Sequence, residues 1–106
     1  MTEGYSVTIP FKGDPEVLKI VLESLQNQGE IIDEIIIVDD NTRCDLSFVK
    51  NISNCELINL PVSSGPSHAR NVGAKYAKYE NLFFLDADVL TPERCFEKID
   101  QFLKKK

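Results

Sequence analysis

Ile35-Ile36-Ile37-Val38-Asp39-Asp40 decides the fold. Four consecutive β-branched residues suit a strand covered on both faces, as strands inside a parallel sheet are. Two carboxylates follow at once, so the buried strand gives way to a polar loop in a single step. Leu82-Phe83-Phe84-Leu85 followed by Asp86-Ala87-Asp88 repeats the arrangement further along the chain. Both segments read as buried strands that carry acids at their carboxyl ends.

Working outward, Tyr5-Ser6-Val7-Thr8-Ile9 alternates, is rich in β-branched residues and stops at Pro10, which makes it the first strand. Asp14-Pro15 supplies an N-cap and a proline at the first helical position. Leu18, Val21, Leu22 and Leu25 then recur at helical spacing up to Gly29. A short helical segment is expected over residues 45–50, and Glu56-Leu57-Ile58-Asn59-Leu60 reads as a third strand. Gly65-Pro66-Ser67 opens a helix running to about Tyr79, with Ala69, Val72, Gly73, Tyr76 and Ala77 on one face. Small residues on that face would let the helix lie close to the sheet. Thr91-Pro92 is expected to cap a last helix whose Cys95, Phe96, Ile99, Phe102 and Leu103 form an apolar stripe.

Strands alternating with helices predict an α/β fold: a Rossmann-like, mainly parallel four-stranded sheet with helices on both faces. Ligands of such sheets sit beyond the carboxyl ends of the strands, where both acidic clusters fall. The 106 residues suit one domain, spanning 1–106, and 42% hydrophobic residues allow a modest core.

Composition narrows the function. A net charge of −5, with both signs interspersed, lacks the basic footprint of a nucleic-acid-binding protein. The apolar runs are far shorter than the roughly 20 residues of a membrane span, and residues 1–6 show no signal-peptide pattern. Cys44, Cys55 and Cys95 fit neither a disulfide framework nor a zinc spacing, which points to a reducing, cytoplasmic setting. Lys104-Lys105-Lys106 reads as charge complementing a helix C-terminus.

Two carboxylates one residue apart on a bending backbone, Asp86 and Asp88, can converge on one hard cation. Mg²⁺ or Mn²⁺ suits oxygen ligands and keeps positions open for phosphate. Such a cation would neutralise a departing diphosphate. Asp39 and Asp40 are placed to accept hydrogen bonds from a base or ribose. The segment from Gly65 to Asn71 adds a helix N-terminus and the Arg70 guanidinium, where an anion could sit. His68, the single histidine, reads as a surface or capping residue.

With these motifs placed, the chain resembles the family 2 glycosyltransferases, inverting enzymes of the GT-A fold. The resemblance runs through Val7-Thr8-Ile9-Pro10, Leu25-Gln26-Asn27-Gln28, Ile36 to Thr42, Gly65 to Ala74 and Phe84 to Asp88. It implies that Asp40, with Asp39 beside it, contacts base and ribose, and that Pro10 lines the nucleotide pocket. It further implies that Asp88 ligates the metal with Asp86 in support, and that Arg70 and Asn71 lie near the sugar-diphosphate.

Three stretches depart from the family pattern. Lys12-Gly13 stands where a Tyr-Asn pair is frequent, Asn41 to Asp45 replaces a Gly-Ser-x-Asp turn, and Tyr79-Glu80-Asn81 replaces Gly-Asp. Family members continue well past the D-x-D motif into a half that holds the acceptor site and the catalytic base. The chain is therefore expected to be the truncated donor-binding half, with no catalytic residue to name. A UDP- or GDP-linked sugar is the expected donor and a glycan or lipid-linked molecule the acceptor. The chain alone is expected to bind weakly and transfer nothing. The full-length protein is expected in the cytoplasm or peripherally at the inner membrane face, and a homodimer through apolar surface left by the missing half is a further expectation. The alternatives are a receiver-like phosphoacceptor domain, a phosphatase of the haloacid dehalogenase type and a non-catalytic α/β binding module.

Overall fold

The computed structural model describes residues 2–104; Lys105 and Lys106, named above as part of a basic run, lie outside them. Four strands, β1 (Thr2–Phe11), β2 (Glu34–Asp39), β3 (Cys55–Asn59) and β4 (Tyr79–Phe84), form one sheet in the order β3-β2-β1-β4. Every pairing is parallel. Three helices, α1 (Pro15–Gln26), α2 (Pro66–Tyr76) and α3 (Cys95–Lys104), connect or follow the strands, with short 3₁₀ turns at Gly29–Ile31 and Ser47–Asn51. The expected α/β architecture is the one observed.

The β-branched run of β2 is buried along its whole length because helices lie on both faces. Ile35 and Ile37, with Val7, Ile9 and Phe11 of β1, pack against Leu18, Val21, Leu22 and Leu25 of α1 and Phe96 of α3. Ile36 and Val38 face the other way, toward Ala69 of α2 and Leu60. Alternation along one strand thus divides its apolar residues between two layers. Gly73 is what brings α2 down onto that second layer: a Cβ there would lie 2.1 Å from Thr8 Oγ1 and 2.8 Å from Thr8 Cγ2.

Several boundaries differ from those read in the sequence. β1 does not stop at Pro10 but runs to Phe11. The carbonyl of Thr8 accepts from Leu85 of the β4 side, so the amide position of Pro10, two residues on, also faces that side. β4 has ended there, and the missing N–H costs the sheet no hydrogen bond. β4 begins at Tyr79, beside Thr2 of the long β1, so α2 ends at Tyr76 and Tyr76 is half-exposed instead of packed.

Thr91-Pro92 does not cap α3, which starts at Cys95. Arg94, at φ 62°, interrupts any helix from Pro92, and the buried Thr91 hydroxyl has no hydrogen-bond partner. Gln28 fills the capping role instead. Its Nε2 donates to the Pro92 carbonyl (2.9 Å) and its Oε1 accepts from the Phe96 amide (3.1 Å). Of the predicted stripe on α3 only Phe96 is buried, in a cluster with Tyr5 and Phe83, while Phe102 and Leu103 remain exposed.

Candidate functional site

A sheet ordered β3-β2-β1-β4 reverses direction at β1, since the chain first builds to one side and then to the other. Adjacent loops diverge at such a point and leave a crevice beyond the strand ends. A cleft of about 460 Å³ lies at this place. Its walls come from the end of β1 and the loop after it (Pro10 to Asp14), from Asp40 after β2, from Pro66, Ala69 and Arg70 of α2, and from Asp86, Ala87 and Asp88 after β4. Five of the residues singled out in the sequence, Pro10, Asp40, Arg70, Asp86 and Asp88, therefore share one cavity. Asp39 and Asn71 are not on its walls, although each neighbours a residue that is.

Local geometry explains this division. Asp39, 3% exposed, turns its carboxylate back onto its own loop, where Oδ1 accepts from the Thr42 hydroxyl (2.6 Å) and amide (3.1 Å). Asn41 and Arg43, at φ 59° and 62°, bend the chain around it. Asp40, equally buried, points the other way. Its Oδ1 accepts from the Ser64 amide (2.8 Å), and its Oδ2 from the Gly65 amide (3.1 Å) and the Ser63 hydroxyl (3.3 Å). The Ser64 amide chiefly holds its carboxyl below the usual carboxylate range, against the opposing effect of burial. The Gly65 and Ser63 bonds and the charge of Lys12 act in the same direction.

This arrangement changes the reading of the helix start. An anion does sit beside the opening of α2, and it is the carboxylate of Asp40. Gly65 permits the turn, because its φ of 89° is open to glycine and strained for other residues. From there α2 carries Arg70 into the cleft, where Nη2 lies 3.7 Å from Asp86 Oδ1. Both side chains are substantially exposed, so the pair is worth little to stability and is free to exchange partners.

The D-x-D segment leaves β4 in a turn closed by the Val89 amide on the Asp86 carbonyl (3.1 Å). Ala87 packs on the main core while Asp86 and Asp88 are exposed on the cleft side. The alternation of one inward and two outward side chains leaves both carboxylates free to approach the same ligand. Among the described residues no group of three or more His, Cys, Asp or Glu is arranged to hold a metal. A two-carboxylate donor set fits Mg²⁺ or Mn²⁺, which take one or two protein carboxylates and complete their shell with water and phosphate.

Lys12 escaped the sequence reading as a site residue. It stands in the cleft wall with its Nζ 3.2 Å from Ser63 Oγ. Its position two residues after Pro10, at the same sheet edge as the acids, was the available signal. His68 is exposed on α2 and does not line the cleft. No helix among the described residues is long and apolar enough to cross a membrane.

Known proteins resemble the chain over most of its length. The family model described as glycosyl transferase family 2 matches residues 6–106. The chain is 33% identical over 92 residues to a pre-mycofactocin glycosyltransferase of Mycobacterium tuberculosis, covering 84% of this chain and 18% of that protein. It is 31% identical over 107 residues to a poly-β-1,6-N-acetyl-D-glucosamine synthase of Staphylococcus epidermidis, covering 96% of this chain and 26% of that one. The crystal structure of S. aureus TarS 1-349 superposes with a TM-score of 0.85 at 24% identity, over 96% of this chain and 32% of that chain, and shares its fold. The chain thus spans about a fifth to a third of the length of these proteins. An α/β sheet with its crevice at the switch point and a family match over residues 6–106 lead to one conclusion: the chain belongs to glycosyl transferase family 2.

Proposed function

We propose that the cleft binds the nucleotide-diphosphate sugar of an inverting, metal-dependent glycosyltransferase, and that these 106 residues supply donor binding without the chemistry. One observation carries the reading: Asp40 and the Asp86/Asp88 pair, after different strands, line a single cleft with Arg70 between them in the chain. Asp88, supported by Asp86, would hold Mg²⁺ or Mn²⁺, which when bound supplies Lewis-acid neutralisation of diphosphate charge. Arg70, released from Asp86, is positioned to meet a phosphate oxygen. Asp40 and Pro10 would border the base and ribose, and Asn71 a more distant part of the sugar-diphosphate. Asp39 would act through the loop it shapes.

A UDP- or GDP-linked donor and a glycan or lipid-linked acceptor fit this reading. The polysaccharide named for the staphylococcal relative supports a glycan product. The catalytic base and acceptor site would lie in chain that the relatives have beyond the matched region, since they are about four to five times as long. A cytoplasmic or inner-face location places the cleft where nucleotide sugars are made, and self-association through the exposed Tyr76 and Phe84 belongs to the same reading. The test of the division of labour is transfer itself. The 106-residue chain, incubated with nucleotide sugars, Mn²⁺ and glycan or lipid acceptors, should yield no glycosylated product by mass spectrometry. Turnover by this chain would refute the proposal that it holds the donor site alone.

A further inference from the structure

Arg70 of α2 and Asp86 of the loop after β4 meet in the cleft, with Nη2 3.7 Å from Oδ1. The root of Arg70 is fixed. Its neighbour Ala69 is fully buried in the cluster of Ile36 and Val38, and Gly73, one turn on, seats α2 against Thr8. Its head is not fixed: the Arg70 side chain is 40% exposed and that of Asp86 66%. The guanidinium can therefore change partners while the helix stays where it is.

This pair sets two cations against one donor set. Asp86 and Asp88 are the carboxylates that fit Mg²⁺ or Mn²⁺, and Arg70 lies beside one of them. A guanidinium does not give up its proton, so it cannot accommodate a metal ion by becoming neutral. It must move away or repel the ion. Moving away needs another anion within reach, and the oxygens of a phosphate match the guanidinium fork better than one carboxylate oxygen at 3.7 Å does. A diphosphate is the group that can both draw Arg70 off Asp86 and complete the shell of the ion.

We infer that Arg70 is a specificity-determining residue that competes with the divalent cation for Asp86 and gives way to it when a diphosphate arrives, so that the site takes cation and diphosphate together. This rests on the nucleotide-binding reading above and adds to it the coupling between the two ligands. The coupling is reciprocal: the factor by which the diphosphate raises cation affinity is the factor by which the cation raises diphosphate affinity.

A competitor of the cation and a mere phosphate ligand differ in the sign of one result. Mn²⁺ alone is titrated into the isotopically labelled chain, where paramagnetic broadening of the amides of residues 86–88 reads even weak occupancy. Arg70→Met, which keeps much of the length without the charge, should reach half-broadening at about fivefold lower Mn²⁺ than the wild type. Arg70→Lys, which keeps the charge, should stay near the wild type. Adding UDP or GDP should raise the Mn²⁺ affinity of the wild type by a larger factor than that of Arg70→Met. Thermal melting should differ little among the three chains, because the pair is exposed. Unchanged Mn²⁺ affinity in Arg70→Met would leave Arg70 a phosphate ligand only, and weaker affinity would make it a support for Asp86. Either result overturns the inference while nucleotide binding by the wild type stands. Equal tightening in Arg70→Lys and Arg70→Met, or an equal gain from the nucleotide in Arg70→Met and the wild type, would also overturn it. No broadening at residues 86–88 of the wild type with UDP or GDP present would overturn the nucleotide-binding reading as well.

Discussion

The carboxylate of Asp40 accepts the amide hydrogen of Gly65 at 3.1 Å, so the end of β2 and the start of α2 are tied at one point. Through that tie the buried sheet sets where α2 begins and hence where Arg70 enters the cleft. Because hydrogen bonding lowers the Asp40 pKa in the folded state, its contribution is present above the ordinary carboxylate pKa. It is lost as pH falls through the lower, folded value. Asp40→Ala should remove this acid-side component and lower the urea midpoint at pH 7 more than Ser63→Ala does, since it strands two backbone amides. Urea unfolding of both variants from pH 7 to pH 3 measures this; identical pH profiles for Asp40→Ala and wild type would contradict it.

Gly73 of α2 lies against Thr8 of β1 with no room for a side chain between them. Neither the backbone nor the first atoms of the threonine side chain can move far, so Gly73→Ala should cost about 2 kcal/mol. Combining it with Thr8→Ala, which removes Oγ1 and Cγ2 but keeps Cβ at 3.1 Å, should recover part of that loss. A double-mutant cycle by urea denaturation reads the coupling, and strict additivity would show that the helix rides up without resistance.

Gln28 holds the turn before α3 from two sides, through the Pro92 carbonyl and the Phe96 amide. Gln28→Ala leaves both without that partner and should destabilise the chain by about 1–2 kcal/mol. Hydrogen exchange at the Phe96 amide should accelerate more than at Leu22, on the buried face of α1. Uniform acceleration at both would mean that α3 is not held locally.

Tyr5 gives the opposite pH sign from Asp40. Burial, then the hydrogen bond of its hydroxyl to Asp100 (2.6 Å), pushes its pKa up from 10.0 to about 12. The neutral phenol is favoured in the fold, so its contribution is intact below about pH 10 and is lost as pH rises toward about 12. Tyr5→Phe keeps the ring against Phe83 and Phe96 but cannot ionise. Its alkaline unfolding, followed by circular dichroism, should begin at higher pH than that of the wild type; onset at the same pH would remove Tyr5 as the titrating group.

What the sequence disclosed follows from which signals are local. The β-branched run of β2 and the acids after β2 and β4 are contiguous, so the parallel sheet and its loaded edge could be read directly. Gly73 among small residues announced close helix packing because no other residue fits there. The cap of α3 could not be read, since it comes from Gln28, far away in the chain, while Thr91-Pro92 imitates a cap locally. Asp39 and Asp40 look alike in one dimension and part only when positive-φ residues at 41 and 43 turn one carboxylate into the loop. The place of Lys12 at the sheet edge was readable, but its contact with Ser63, 51 positions away, was not.

In the proposed function Asp40, beside the nucleoside, and Asp88, on the metal, serve one bound ligand. Titration of the isotopically labelled chain with UDP and GDP, with and without Mn²⁺ or diamagnetic Mg²⁺, tests it most directly when followed by amide chemical shifts. One nucleotide should bind only with the metal, shift amides around both Asp40 and Asp88, and weaken at least tenfold in Asp88→Asn. Binding that ignores the metal and the Asp88→Asn change, or shifts confined to one of the two strand ends, would contradict the account.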